Sequence, residues 1–281
     1  MAKLPASLFN DVIGPVMRGP SSSHVAGAAR IGALVRQSLG GDVRSVLVEF
    51  DVNGSLAESY HGHGSDIGFV SGLLDIDLTD PRVPDACAIA EREGVEVAFS
   101  ILDYGASHPN NYRIAATGGD GRTLHWEAVS VGGGMVEMQR FEGFPVSIDG
   151  GYHEYLLLID AHAAPLEQAA ASVKAVASSD ELRAESDGAR LLINLKRASA
   201  LDAETVARLR ALPGTLIGVG RTLGLPREEI VKAMLAAGLI GVFIAESATF
   251  AAEVAGCQVE CGAGSGMAAA GVALMLGGTV A

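Results

Sequence analysis

The chain has 281 residues, 49% of them hydrophobic, and a formal net charge of −13. That length allows two or three small domains with a substantial buried core, and so apolar a composition excludes a disordered chain. The acidic balance argues against nucleic acid as a partner, and three unevenly spaced cysteines (Cys87, Cys257 and Cys261) exclude a disulfide framework.

The first region runs to about Gly151. A short element is expected over 8–17, closed by Gly14 and Pro15. Ser21, Ser22 and Ser23 then stand as N-cap residues before a helical pattern of Val25, Ala28, Ala29, Ile31, Gly32 and Val35. Alternation of Val and Phe predicts a strand over 44–52, and further strands are expected over 95–102, 112–116 and 123–131. A helix is expected over 67–74, after a glycine-rich loop, with Ser65 or Asp66 as its N-cap. In the second region a strand over 155–159, a helix over 166–176, a strand over 190–195 and a helix over 203–212 suggest a small ferredoxin-like module. The third region follows Pro213-Gly214. Pro226-Arg227-Glu228-Glu229 reads as a first helical turn, leading into a long apolar helix to about Ile244, and small residues over 263–271 allow close helix packing. The fold class expected is α+β, with regions 1–151, 152–212 and 213–281.

The apolar runs over 233–243 and 267–275 are shorter than the roughly 20 residues needed to cross a bilayer, so no membrane partner is expected. The start, Met1-Ala2-Lys3-Leu4-Pro5, does not read as a signal peptide, and a reducing cytoplasm is the expected compartment.

Four stretches could carry chemistry. Pro20-Ser21-Ser22-Ser23-His24 places three hydroxyls and an imidazole at a helix start, where unpaired N–H groups suit a carboxylate or phosphate; a plain solvated N-cap is the alternative. His61-Gly62-His63-Gly64-Ser65-Asp66 offers a general base near neutral pH, or two metal ligands in need of others, or simply a loop. Ser107-His108-Pro109-Asn110-Asn111 is a turn by composition whose imidazole and amides could face a cleft. Cys257 and Cys261 share a face if their segment is helical; they are either buried thiols or part of a metal site. Neither a dinucleotide fingerprint nor a P-loop is present.

Taken together, these stretches resemble the iron–sulfur-dependent L-serine dehydratase family. The run Gly14-Pro15-Val16-Met17-Arg18-Gly19-Pro20-Ser21-Ser22-Ser23-His24 resembles the opening of its β chain, and Gly62-His63-Gly64-Ser65-Asp66, His108-Pro109-Asn110 and Val131-Gly132-Gly133-Gly134 follow in that domain's order. Residues 152–212 are similar in pattern to an ACT-type module. Ala236-Ala237-Gly238-Leu239-Ile240-Gly241 and Gly256-Cys257-Gln258-Val259-Glu260-Cys261-Gly262 resemble part of the α, or catalytic, domain.

The resemblance implies dehydration of L-serine to pyruvate and ammonia with a [4Fe-4S] cluster. It implies Cys261 as a cluster ligand, the family placing that cysteine either there or at the position of Ser265. It also implies His63 as the base, and Ser21, Ser22, Ser23, His24, Ser65, Asp66, His108 and Asn110 around the substrate. The earlier part of the catalytic domain has no counterpart between Leu212 and Thr215, and two further cluster cysteines are expected beyond this segment. The expectation is therefore a cluster that this chain cannot complete alone, finished by a complementary catalytic chain or by a missing downstream segment, with a homo-oligomer also in view. The alternative is an amino-acid-binding regulatory subunit without chemistry of its own.

Overall fold

The computed structural model describes residues 16–219 and Met267. A six-stranded sheet is built from β1 (Val43–Asp51), β2 (Glu96–Leu102), β3 (Asn111–Gly118), β4 (Thr123–Gly132), β5 (Met135–Phe141) and β6 (Phe144–Ile148), in the order β2-β1-β3-β4-β5-β6. Only β1 and β2 pair in parallel, and the chain between them carries α2 (Leu56–Ser59), α3 (Ser65–Leu73) and α4 (Ala86–Glu93), as a parallel crossover requires. Helix α1 (Ser22–Ser38) precedes β1. Alternation sets the faces: Val46, Val48 and Phe50 of β1 are buried beside Tyr112, Ile114 and Ala116 of β3 and Leu124, Trp126 and Ala128 of β4.

Helices α1 and α3 touch backbone to backbone. A Cβ on Gly68 would lie 2.4 Å from Val25 O, one on Gly72 1.9 Å from Ala29 O, and one on Gly32 2.1 Å from Phe69 O. Along the contact the residue numbers of both helices rise together, so the two run parallel and start side by side. The N-cap of α3 is Gly64, at φ +76°, rather than Ser65 or Asp66. The left-handed turn there favours glycine, and Pro20 packs against it with no room for a side chain.

A second sheet follows: β7 (His153–Asp160), α5 (Leu166–Val176), β8 (Glu181–Ser186), β9 (Arg190–Arg197), α6 (Ala203–Arg210) and β10 (Thr215–Val219), with strand order β10-β7-β9-β8 and every neighbour antiparallel. This β-α-β-β-α-β path is that of the ferredoxin-like split βαβ motif. Strands β7 and β9 read as nearly continuous apolar runs because both their faces are covered. Leu157, Ile159, Ile193 and Leu195 pack with α5 and α6, whereas Leu156, Leu158 and Leu192 join the core of the first sheet. Polar ties reinforce that joint. Lys196 Nζ donates to Glu154 Oε1 at 3.0 Å and to Ser147 O, Asn194 donates to Glu154 Oε2 at 2.9 Å, and Arg190 donates to Glu142 Oε2 at 3.1 Å.

Strand β10 lies beyond position 212, where the sequence suggested that the second module ends. The sequence also did not announce α2, α4, β5, β6 or β8. The last is an edge strand of Glu181-Leu182-Arg183-Ala184-Glu185-Ser186, without a clean apolar alternation. Positions 8–15, the helix expected over 226–244 and the segment containing Cys257 and Cys261 lie outside the described residues.

Candidate active site

The first turns of α1 and α3 form the centre of the site. Ser21 is the N-cap of α1, yet its hydroxyl does not cap the helix: Oγ lies 2.7 Å from His24 Nδ1. Its backbone N–H instead donates to His63 O at 3.2 Å, stitching α1 to the loop before α3. The rings of His24 and His63 are in tilted contact, with centroids 4.2 Å apart and planes inclined by 32°. Ser22 is exposed, whereas Ser23 and His24 are buried. Ser65, the first residue of α3, is 0% exposed, and its Oγ has no hydrogen-bond partner among the described residues. Two parallel helix starts thus place four serines and two imidazoles in one neighbourhood; the first turn of α1 offers N–H groups there, whereas in α3 the N–H of Ser65 already donates to Tyr60 O at 2.8 Å and that of Ile67 to Asp66 Oδ1. Each terminus carries about half a positive charge, so the pair suits a small anion.

The two histidines of the His61-Gly62-His63 run separate. His61 is exposed and pairs through Nδ1 with Asp66 Oδ2 at 2.6 Å, and that carboxylate raises its pKa above the ordinary imidazole value, chiefly through the hydrogen bond. Asp66 Oδ1 accepts the N–H of Ile67 at 2.8 Å. Asp66 is therefore occupied by its own loop and helix, and the pair does not act as two metal ligands side by side.

Asn110 is 1% exposed and held from three sides. Ser55 Oγ donates to its Oδ1, His108 Nδ1 accepts its N–H at 3.1 Å, and its carbonyl accepts the N–H of Ser130 at 3.1 Å. With Oδ1 engaged by Ser55, the NH₂ end of the amide is the end left to donate. Ser130 links this loop to the helix pair, since a Cβ on Gly27 of α1 would meet Ser130 Oγ at 2.8 Å. The next turn, Gly132-Gly133-Gly134, has all three φ angles positive, and buried Arg30 of α1 directs NH1 at Gly134 O, 3.4 Å away.

Sequence reasoning overlooked Ser55, Ser130, Arg30 and Asp51. The carboxylate of Asp51 accepts the N–H groups of Asn53, Tyr104 and Ala106 at 2.9, 3.1 and 2.9 Å. These bonds, that from Ala106 foremost, hold its carboxyl below the usual carboxylate range. Asp51-Val52-Asn53-Gly54 is the signature of an Asx turn, and that signal could have found it. Nearby, burial pushes the Tyr104 hydroxyl up to about 12, so it stays protonated and donates to Asn111 Oδ1 at 2.7 Å.

Among the described residues no group of three His, Cys, Asp or Glu side chains could hold a metal ion. The one described cysteine, Cys87, is an exposed thiol on α4. The described residues therefore do not fit an iron–sulfur cluster, and Cys257 and Cys261 lie outside them. No helix among them is long and apolar enough to cross a membrane.

Comparison with known proteins bears on this geometry. The family model described as serine dehydratase alpha chain matches residues 203–281, a span that begins at α6. A probable L-serine dehydratase β chain of Bacillus subtilis is 41% identical over 148 residues, which cover 53% of this chain and 66% of that one. A probable L-serine dehydratase α chain of the same organism is 39% identical over 75 residues, covering 27% of this chain and 25% of the relative. The chain thus spans about two thirds of the β chain it matches and a quarter of the α chain. An L-serine dehydratase of Mycobacterium bovis is 24% identical over 357 aligned positions, covering 93% of this chain and 76% of the relative. That alignment is longer than the 281 residues of this chain, so the relative has residues with no counterpart here.

Proposed function

We propose that this chain, a relative of the L-serine dehydratases that joins a β-chain-like part to an α-chain-like part, takes part in converting L-serine to pyruvate and ammonia. The observation that carries this reading is the side-by-side start of α1 and α3, with the Ser65 hydroxyl buried there and unengaged by the described protein. A carboxylate at that point would meet the first-turn N–H groups of α1 and the positive ends of two helix dipoles, each terminus contributing about 1 kcal/mol. Ser21, Ser22, Ser23 and Ser65 would supply hydroxyls, and the NH₂ of Asn110 a further donor. With the carboxylate held there, His63 would take the α-proton of L-serine. His24, in tilted ring contact with His63 and bonded to Ser21, would fix the orientation of that ring. Loss of the β-hydroxyl then gives aminoacrylate, which tautomerises and hydrolyses to pyruvate and ammonia.

The iron–sulfur type of the enzyme belongs to the same proposal. Cys261 would be one thiolate ligand, and the others would come from a second, α-type chain or from further sequence. Since the described residues hold no ligand set, the roles assigned to them are recognition of substrate and removal of the proton. The setting proposed is the reducing cytoplasm, which keeps such thiols available.

Two variants test the reading. Ser65→Ala removes a buried hydroxyl that has no hydrogen-bond partner among the described residues, so stability should hold or rise slightly, while calorimetric affinity for L-serine should fall about tenfold. With an α chain coexpressed, His63→Ala should lower turnover about 100-fold or more, with the dissociation constant for L-serine much less affected. Absence of L-serine binding by the unaltered chain would overturn the reading. Full turnover by His63→Ala would move the base elsewhere, with His108 next in line.

A further inference from the structure

We infer that Asp51 is the positioning residue for the substrate side of Asn110, a role that rests on the reading that Asn110 faces L-serine. Asp51 ends β1 and is 3% exposed. A carboxylate so placed costs free energy unless it is well hydrogen-bonded. Its bonds are spent on two loops. Oδ2 accepts the N–H groups of Tyr104 and Ala106, fixing the start of the segment that leads to His108 and Asn110. Oδ1 accepts the N–H of Asn53, and the Asp51 carbonyl accepts the N–H of Gly54 at 2.9 Å, closing the turn that leads to Ser55.

The two loops then meet again at Asn110. The Ser55 N–H donates to Pro109 O at 2.9 Å, and the Ser55 hydroxyl donates to Asn110 Oδ1. Gly54 packs so closely that a Cβ there would lie 2.7 Å from Pro109 O. One carboxylate therefore fixes both the path of the chain into Asn110 and the hydroxyl that orients its amide. Asp51 has no part in proton transfer. Its effect is on where the NH₂ of Asn110 stands relative to the helix starts, and so on ground-state recognition of the carboxylate.

Asp51→Asn keeps the size but puts an NH₂ where one of the accepting oxygens stood, so either the Asn53 donor or the Tyr104 and Ala106 donors lose their partner. The measurement is calorimetric affinity of the full chain for L-serine, with thermal unfolding alongside and turnover with a coexpressed α chain. The expected result is affinity about tenfold weaker and KM raised to match, with kcat within about threefold. Asp160→Asn is the control. It removes the same kind of turn in the second sheet, where Asp160 accepts the N–H of His162 at 2.9 Å, and it should leave affinity unchanged. If Asp51→Asn does not fold, Gly54→Ala tests the same linkage by pressing on Pro109 O. Unaltered affinity in a folded Asp51→Asn or Gly54→Ala variant would overturn the inference. If the unaltered chain binds no L-serine, the functional reading fails on its own, and hydrogen exchange decides the positioning. Faster exchange of the Ser55 and Ser130 amides in Asp51→Asn supports the linkage, and unchanged exchange overturns it.

Discussion

Replacing Gly72 by alanine tests how closely the helix pair is built. The new Cβ would stand 1.9 Å from Ala29 O, 2.7 Å from Ala29 C and 2.9 Å from Ala33 N, all backbone atoms that cannot rotate away. Ordinary contact requires α1 and α3 to part by about 1.5 Å, and a gap of that order forfeits half or more of the dispersion attraction across the contact. Overpacking of this kind costs about 3 kcal/mol, and alanine recovers about 1 kcal/mol through helix propensity. The net loss of about 2 kcal/mol should lower the midpoint of thermal unfolding by about 4–8 °C, followed by circular dichroism. Gly27→Ala is the comparison. Its Cβ would meet the Ser130 hydroxyl at 2.8 Å, a side-chain oxygen able to turn aside, so the cost should be close to zero. A midpoint for Gly72→Ala that is unchanged or raised, as propensity alone would give, would refute the backbone-contact argument.

His61 should titrate above 6.5 by NMR, and Asp66→Asn should bring it back toward that value. Because the folded-state value is the raised one, any stability from this pair is fully present below 6.5 and is lost as pH rises through the folded-state value. Lys196→Met should destabilise by about 3–5 kcal/mol at neutral pH, because it leaves Glu154 buried without its cation. Burial already pushes the Glu154 carboxyl up, against the pull of Lys196, so the deficit should shrink as pH falls and Glu154 takes a proton; urea unfolding at acidic and neutral pH reads the difference.

The sequence made the interior visible where one face was buried. The alternation in 44–52 and 123–131 corresponds to β1 and β4, and the helical spacing from Val25 to Val35 falls on α1, although its first half is buried on all sides. It was silent where burial did not impose a period. Strand β8 lies at a sheet edge, and α2 is a single turn. In the candidate site, composition alone pointed to Ser21, His24 and His63, which the fold brings into contact through two hydrogen bonds and one tilted ring contact. Composition could not divide the two neighbouring histidines, because what separates His61 from His63 is the Asp66 carboxylate reached through the turn at Gly64. Nor could it reveal that Asp51, far from Asn110 in sequence, holds the loop that carries it.

Because α1 and α3 meet through main-chain atoms, neither can slide or tilt by small side-chain adjustments. The pair behaves mechanically as one girder whose end plate is the proposed anion site. Side chains can be exchanged around that plate, at 21–24, 61–63 and 107–108, without disturbing the girder, whereas Gly64 has no room for one. A substitution at Gly32, Gly68 or Gly72 reaches the plate by displacing it whole. On the proposed reading, changes of substrate preference are open to the loops, whereas the seat for the carboxylate is set by the helix pair.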